Sequence, residues 1–517
     1  MKVVFRVDAS TRIGTGHLMR CLALARALRA RGVQPKFICR EHAGNLISLL
    51  QQEDIPVAVL PAPAKGEEAY TEDYAAWLGV PLSVDAEQTL EVLNDEKPDW
   101  LVVDHYGLDI DWERRLHSHV DKLMVIDDLA NRHHDSDILL DQNYSAENEC
   151  RYRGLLPDTC KLLVGPRYAL LHSDYEMYRQ TLRIRDGRVR RILVFFGSID
   201  PHNITGLALE ALSTSEFAHM EVYVVVGINN PYRAVLEEQV AARPLTKVYS
   251  SRAHLADLMV QADLAIGAGG VTTWERMCLG LPTIMVSIAD NQKPTAESLN
   301  AAKLVQYVGH SSNLGLEELI QALRKLVDSP NQLVDLGIQS QLQVDSFGAA
   351  RVAEVLYPTC VERIFLRPAR KEDIILYFNW VNDPEVRRQA IHSAPISWSQ
   401  HQSWFAKKMA SARSHLFVLQ AGLLPVGQIR FDCDVHEALI DYSLDMFVRG
   451  RGWGSRMISM GALYMWQRES IILKAMVKTR NYASCAVFKR LGFEETQFIN
   501  AEEGVRVFLL RPCQREA

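Results

Sequence analysis

The sequence predicts two tandem α/β units, each with a parallel sheet, followed by a distinct α+β domain. Three observations predict it. Residues 1 to about 170 alternate short β-rich runs with helical patterns, and the alternation restarts at RRILVFFGSID, near residue 190. In each unit a buried run ends in a glycine turn and opens a helix, the local order expected of a parallel sheet covered on both faces. Beyond YPTCVERIFLRPA (Tyr357–Ala369) the pattern changes to several strands in succession, which marks an antiparallel-rich domain of another kind. The predicted boundaries are 1–170, 171–356 and 362–517.

In the first unit the strand KVVFRV leads through Gly14 and Gly16 into a helix from about His17, with Leu18, Cys21, Leu22, Ala25 and Leu28 on one apolar stripe. Further strands are read at Lys36–Cys39, DWLVVDHYG, KLMVID, DILLDQ and KLLVG. The second unit opens with RRILVFFGSID and a helix from about Pro201. It continues through EVYVVVG, KVYS, ADLAIGAGG and PTIMVSI, and helical patterns fill the remainder to about residue 355. The last domain reads as a strand, two or three helices, then HLFVLQ, VGQIRFD and EALIDYSLDMFV. A glycine turn and helix, the strand ILKAMVK, another helix and a final strand VRVFLL complete it.

Composition narrows the function. A chain of 517 residues has room for roughly three domains, and 48% hydrophobic with 23% charged residues is a globular balance. A net charge of −6 argues against nucleic acid as a partner. Nine cysteines, scattered singly from Cys21 to Cys513 without CxxC pairs, read as reduced thiols. No run approaches a membrane span, and MKVVFRVDAS lacks the apolar stretch of a signal peptide. The expectation is a soluble cytoplasmic protein.

His17 stands where a strand ends and a helix begins. Gly14 and Gly16 allow a tight turn and close approach to a ligand, and a helix start attracts anions. Its partial positive charge disfavours the imidazolium, leaving an imidazole able to accept a proton. The plainer reading is a histidine capping the helix through the backbone. In the second unit Gly269-x-x-Thr272-x-x-Glu275 follows a buried strand. Backbone N–H groups at Gly270–Thr273 suit a diphosphate and Glu275 suits two ribose hydroxyls; the plainer reading is a threonine-capped helix with an acidic first turn. Ser198, in the turn after RRILVFFG, is a further candidate for substrate binding. Asp104 and Tyr106, at a strand's carboxyl end, read equally as cleft residues or as buried supports for a loop. Asp127 and Asp128, adjacent on an extended segment, should point apart rather than share a metal, and His133–His134 read as loop residues.

These segments resemble known families. Gly-Gly-x-Thr…Glu…GLPTI is similar to the nucleotide-binding half of the GT-B superfamily. "VDASTRIGTGHLMRCLALA", "VVDHYGLD", Asp127–Asp128, "DILLDQN" and "GPRYALL" resemble the UDP-sugar hydrolases of pseudaminic acid synthesis, over roughly residues 1–355. The resemblance implies tandem Rossmann-like units and release of UDP from UDP-2,4-diacetamido-2,4,6-trideoxy-β-L-altropyranose. It also implies His17 as general base for water attacking the anomeric carbon, with Gly269–Glu275 holding UDP. Backbone donors and a helix dipole then stabilise the leaving diphosphate, so no metal is expected.

In the last domain RGRGWGS supplies consecutive backbone N–H groups before a helix, through Arg449, Arg451, Gly452, Trp453, Gly454 and Ser455. Such a nest suits a pyrophosphate, and the plainer reading is a basic solvated turn. ILKAMVK, Asn481-x-x-Ser484 and FKRLGF follow. This order resembles the GNAT acetyltransferases over roughly Ile364–Arg511, with WVNDPEVR closest to the branch acting on amino groups. The resemblance implies acetyl-CoA as cosubstrate, bound by these residues and Asn481. Many members carry an acidic tyrosine seven residues after that asparagine, where this chain has Phe488. Tyr482, Ser484 or a water remain as the acid, or the thiolate leaves unassisted, and Asp441 or Glu437 remain as the base. The joined resemblances imply two consecutive steps on a UDP-linked amino sugar: acetylation of a UDP-4-amino-4,6-dideoxy-L-AltNAc, then loss of UDP. The alternatives are a GT-B glycosyltransferase with an accessory acyltransferase, a hydrolase of a related diamino sugar whose last domain acetylates another amine, and a non-catalytic nucleotide-sugar binding module that holds UDP without turnover.

Overall fold

The computed structural model describes residues 1–63, 74–94, 96–183, 185–197, 199–227, 230–250, 254–499 and 504–512. Ser198 lies outside them. The chain divides into two compact units, Met1–Tyr357 and Pro358–Ala517.

The first unit holds two parallel sheets. One is built from β1 (Lys2–Val7), β2 (Gln34–Arg40), β3 (Val57–Leu60), β4 (Trp100–Asp104), β5 (Leu123–Ile126), β6 (Ile138–Asp141) and β7 (Lys161–Val164). Its spatial order is β3-β2-β1-β4-β5-β6-β7. The chain lays strands outward from β1 and then restarts on its other side at β4. Ligands of open parallel sheets bind at such a reversal, beyond the carboxyl ends of the two central strands. Val7 pairs with Asp104 at that end, so the turn after β1 and the turn after β4 emerge together.

The second sheet comprises β8 (Arg191–Phe195), β9 (Glu221–Val226), β10 (Thr246–Ser250), β11 (Leu264–Ala268), β12 (Thr283–Ser287) and β13 (Gln306–His310), ordered β10-β9-β8-β11-β12-β13. Its reversal lies between β8 and β11, so the turn carrying Gly269 and Gly270 leaves the sheet there. Central strands such as Leu264–Ala268 and Thr283–Ser287 are buried throughout, as strands covered by helices on both faces must be.

Two sequence expectations are corrected in this unit, and one strand is added. β3 was not anticipated, because VAVL is too short to show a period. β13 interrupts the stretch expected to be helical: QYVGH is only half-buried and lacks an apolar run. The helix expected from Pro201 begins at Ile204, where the Asp200 carboxylate accepts hydrogen bonds from the Ile204 and Thr205 amides at 3.0 and 2.8 Å.

The helix Gly348–Leu356 returns to pack on the helix Gly16–Arg29 of the first sheet. Gly348 permits this, since a Cβ there would lie 2.1 Å from the Ala169 carbonyl oxygen. Arg351 donates to the Arg167 carbonyl, and Trp100 to that of Leu356. The segment is thus read with the second unit by sequence order but rests on the first sheet.

The second compact unit contains a mixed sheet: β14 (Ile364–Pro368), β15 (Ser414–Ala421), β16 (Leu424–Cys433), β17 (Glu437–Leu444), β18 (Ile472–Lys478), β19 (Glu494–Ile499) and β20 (Val505–Leu510). The order is β14-β15-β16-β17-β18-β20-β19. β19, absent from the sequence reading, pairs antiparallel with β20. β17 and β18 are parallel, and their pairing stops at Ile440–Ala475 although both strands continue. Beyond that point β17 keeps its partner β16 and β18 keeps β20, so the sheet opens into a wedge at Asp441.

Candidate functional site

His17 is buried at the start of the helix Gly16–Arg29, whose N-cap is Thr15 with no side-chain bond. It therefore does not cap the helix. Its Nδ1 lies 2.6 Å from Asp104 Oδ1 at the end of β4. Arg20, one helical turn further on the same face, donates from Nε and NH2 to the two Asp104 oxygens at 2.6 and 2.7 Å. Burial alone would raise the Asp104 carboxyl, but Arg20 and His17 hold it well below the usual carboxylate range. An ionised carboxylate only accepts hydrogen bonds, which assigns the His17 proton to Nδ1. Nε2 is then the nitrogen left to accept a proton.

Strand alternation carries the rest. Asp104 and Tyr106 point to His17, while His105 turns to the opposite side, its Nε2 3.5 Å from Asp8. The Tyr106 ring meets His17 edge-on with centroids 4.6 Å apart. Its hydroxyl donates to Asp128, which also accepts from Asn143 at 3.0 Å. Asp127 faces elsewhere, toward Arg132 and the Ala130 amide, so the paired aspartates diverge as expected. His134 lies in a loop but is fully enclosed, its Nδ1 2.6 Å from Glu113.

Sequence reading missed Arg20, Tyr74 and Trp77. The spacing of Arg20 from His17 was a usable signal. Tyr74 and Trp77 were not traceable, because the short 3₁₀ turn Tyr74–Leu78 reaches the site only through the fold.

Across the same compact unit, the turn after β11 faces this one. A Cβ on Gly16 would stand 3.2 Å from Val271 Cγ2, so the two glycine turns meet. The helix Thr272–Cys278 has Val271 as its N-cap, without a side-chain bond. Neither threonine caps it: Thr272 accepts from Arg276, and Thr273 donates to the Ala268 carbonyl. Gly269 and Gly270 lie against Gln292, whose Cβ would be 3.3 Å from one added to Gly269. Gln292 is another residue unread in the sequence. Glu275 is half-buried at the helix and faces the Tyr175 hydroxyl; burial pushes its carboxyl up to about 7.

In the second compact unit the helix Trp453–Trp466 starts at Gly452, whose left-handed φ of 77° favours glycine. Gly454 lies against the ring of Tyr442, at the mouth of the wedge. Arg451 stacks on Trp453 with 5.5 Å from guanidinium carbon to ring centroid. Ser455 has a buried hydroxyl at this helix start. Arg449 is turned away: Nε donates to the Leu444 carbonyl and NH2 pairs with Asp383 at 2.9 Å. Asn481 caps the helix Tyr482–Arg490 by accepting from the Ser484 amide at 3.1 Å.

Phe488 packs among Phe493 and Phe508, 2% exposed, and has no proton to offer. Tyr482 points to solvent, 76% exposed. Ser484 instead meets the Tyr442 hydroxyl at 3.0 Å. Of the two candidate bases, Glu437 lies in the paired part of β17 and is held by Lys474 at 2.8 Å. Asp441 is the first residue of the wedge and accepts from Gln428 at 2.9 Å. Among the described residues no group of three or more His, Cys, Asp or Glu is arranged to hold a metal, and no helix is long and apolar enough to cross a membrane.

The fold is two Rossmann-like units with parallel sheets, followed by a mixed-sheet domain. Residues 191–351 match the glycosyltransferase family 28 C-terminal domain, and residues 363–494 match the acetyltransferase (GNAT) domain. The chain thus joins a nucleotide-sugar domain to an acetyltransferase domain. It is similar along most of its length to an uncharacterized protein of Methanocaldococcus jannaschii, at 22% identity over 96% of this chain and 97% of that one. The spore coat polysaccharide biosynthesis protein SpsG of Bacillus subtilis is 23% identical over 69% of this chain and 98% of its own. The UDP-2,4-diacetamido-2,4,6-trideoxy-beta-L-altropyranose hydrolase of Campylobacter jejuni is 26% identical over 57% of this chain and 95% of its own.

Proposed function

We propose that the chain performs two consecutive reactions: acetylation of a UDP-linked 4-amino sugar from acetyl-CoA, then hydrolytic release of UDP from the diacetamido product. The observation that carries the hydrolase half is the Asp104-anchored His17, set at a glycine turn that touches the turn of Gly269 and Gly270. The named activity of the Campylobacter relative supports the same reading.

In this mechanism UDP occupies the second sheet's turn, its diphosphate on the amides of Gly270, Val271 and Thr272 rather than that of Thr273, which donates to the Gly270 carbonyl, and its ribose on Glu275. His17 Nε2 takes a proton from water as that water attacks the anomeric carbon. The anomeric C–O bond breaks with inversion, and its electrons leave on the diphosphate, where backbone donors receive the charge. Asp104 keeps the imidazole in its productive tautomer and stabilises the positive ring that forms.

In the acetyltransferase domain the amides of Arg451–Ser455 hold the cosubstrate's pyrophosphate. Asp441 takes the proton of the attacking amine, whose nitrogen bonds to the acetyl carbon as the C–S bond breaks. The linked hydroxyls of Tyr442 and Ser484 protonate the departing thiolate.

One NMR time course tests both halves. UDP-4-amino-4,6-dideoxy-β-L-AltNAc is mixed with the full-length protein, with and without acetyl-CoA. A new N-acetyl methyl signal followed by loss of the UDP-linked anomeric proton, only with acetyl-CoA, is expected. Acetylation without UDP release would favour a glycosyltransferase, the reading to which the family 28 match lends weight. No change would exclude this sugar.

A further inference from the structure

The His17 site has a wall that the proposed chemistry does not use. Trp77 and Tyr106 stand 5.6 Å apart, their rings inclined by 33°. Tyr74 lies edge-on to both, at 4.8 Å from Trp77 and 5.0 Å from Tyr106. Trp77 is itself 6.3 Å from the His17 ring. The segment carrying Tyr74 and Trp77 is seated rather than draped: Gly107, just past β4, has no Cβ to strike the Tyr74 carbonyl, which would otherwise be 2.8 Å away. Arg12, in the loop that leads to Gly14, donates to the Ala76 carbonyl at 3.4 Å.

We propose that Tyr74 and Trp77 select the sugar, favouring one that presents methyl groups where an ordinary hexose presents hydroxyls. The inference rests on the hydrolase reading and adds to it the residues that choose the substrate. A water held by His17 attacks the anomeric carbon, so the sugar ring must lie within van der Waals reach of rings only 4.6 to 6.3 Å from the imidazole. The Tyr106 hydroxyl is engaged by Asp128, so that ring turns carbon toward the space beside His17. Aromatic faces accept C–H and methyl groups but do not replace the water lost by a buried hydroxyl. A 6-deoxy sugar bearing acetamido methyls suits such a wall. An apolar wall disfavours an added hydroxyl by about 10- to 100-fold and no more, so the selection is a filter, not a block.

The test compares UDP-2,4-diacetamido-2,4,6-trideoxy-β-L-altropyranose with its counterpart bearing a C6 hydroxyl, using the full-length protein. The wild type is expected to favour the 6-deoxy sugar in kcat/KM by about 10- to 100-fold. Trp77→Ala and Tyr74→Ala should bring that ratio close to one by slowing the 6-deoxy sugar, while Trp77→Phe retains it. Calorimetry with UDP alone reports whether each variant still folds and binds nucleotide. Dissociation constants for both sugars on His17→Ala separate this inference from the catalytic one. The same preference there, lost when Trp77→Ala is added, sustains the wall even if UDP release by the wild type is absent. A wild-type ratio near one, or an unchanged ratio in both alanine variants, overturns it.

Discussion

His17 and His134 both flank the first sheet, one on a helix and one in a loop, and make the same bond: each places Nδ1 2.6 Å from a buried carboxylate, Asp104 or Glu113. What differs is the rest of each ring's surroundings. His134 is enclosed, and its Nε2 lies 3.8 Å from Asp127. Burial pulls its pKa down, but the flanking Asp127 and Glu113 carboxylates outweigh that and raise it to about 9. The ring is a cation clamped between two anions. At His17 the carboxylate is already neutralised by Arg20, bound through both oxygens, and the ring borders aromatic faces and a glycine turn. A histidine–carboxylate pair therefore makes a candidate base only where another cation balances the carboxylate and the second nitrogen has no anion of its own.

Breaking each pair should separate the two roles. The largest effect is expected for His17→Ala, which should lower UDP release by about 10²- to 10⁴-fold while acetylation of the amino sugar proceeds normally. NMR of the two steps in one sample reads both. UDP release at the wild-type rate would sink the assignment of His17. His134→Ala should do the reverse, sparing the chemistry and costing about 3–5 kcal/mol of stability, because Glu113 and Asp127 lose the cation between them. The pH dependence has a definite sign. A histidine raised by its partners stabilises the fold fully below about 6.5, its unfolded value, and loses that contribution as pH rises through about 9. Denaturant melts between pH 6.5 and 9 should show a falling wild-type stability and a flatter profile for the variant.

The same comparison shows how far sequence can reach. The strand, glycine turn and helix that carry His17 are local, and so is the turn at Gly269, so both were readable from spacing alone. Asp104 was readable as a strand end, but its attachment to His17 follows from β4 pairing beside β1, a contact 87 residues apart. His134 was placed correctly in a loop, yet nothing near it in sequence announces Glu113, which comes from the helix Ile110–His117. The side chain of Arg449 was unreadable for a related reason. The sequence offers its backbone amide to the RGRGWGS nest, and only the fold shows its guanidinium paired with Asp383, at the start of a separate helix. Short half-buried strands such as β3 and β13 escaped because neither carries enough residues for a period to appear.

Glu275 sharpens the contrast from the nucleotide side, with the smallest effect. Unlike Asp104, it has no bidentate arginine, and burial leaves its carboxyl at about 7. If its role is to accept two ribose hydroxyls, the ionised form is the one that binds. UDP affinity should therefore be constant above about pH 8 and weaken as pH falls through 7, by up to about tenfold per unit once the carboxyl is protonated. Glu275→Gln, which cannot ionise, should bind UDP at every pH about as weakly as the protonated wild type, with a flat profile. Calorimetric titrations of UDP from pH 6 to 8.5 distinguish the outcomes. A sloping wild-type profile that persists in Glu275→Gln would assign the titration to the nucleotide or to another residue, and would remove Glu275 from the ribose. The Asp104 carboxylate, held ionised by Arg20 across this range, contributes no such slope, which is the contrast with Glu275.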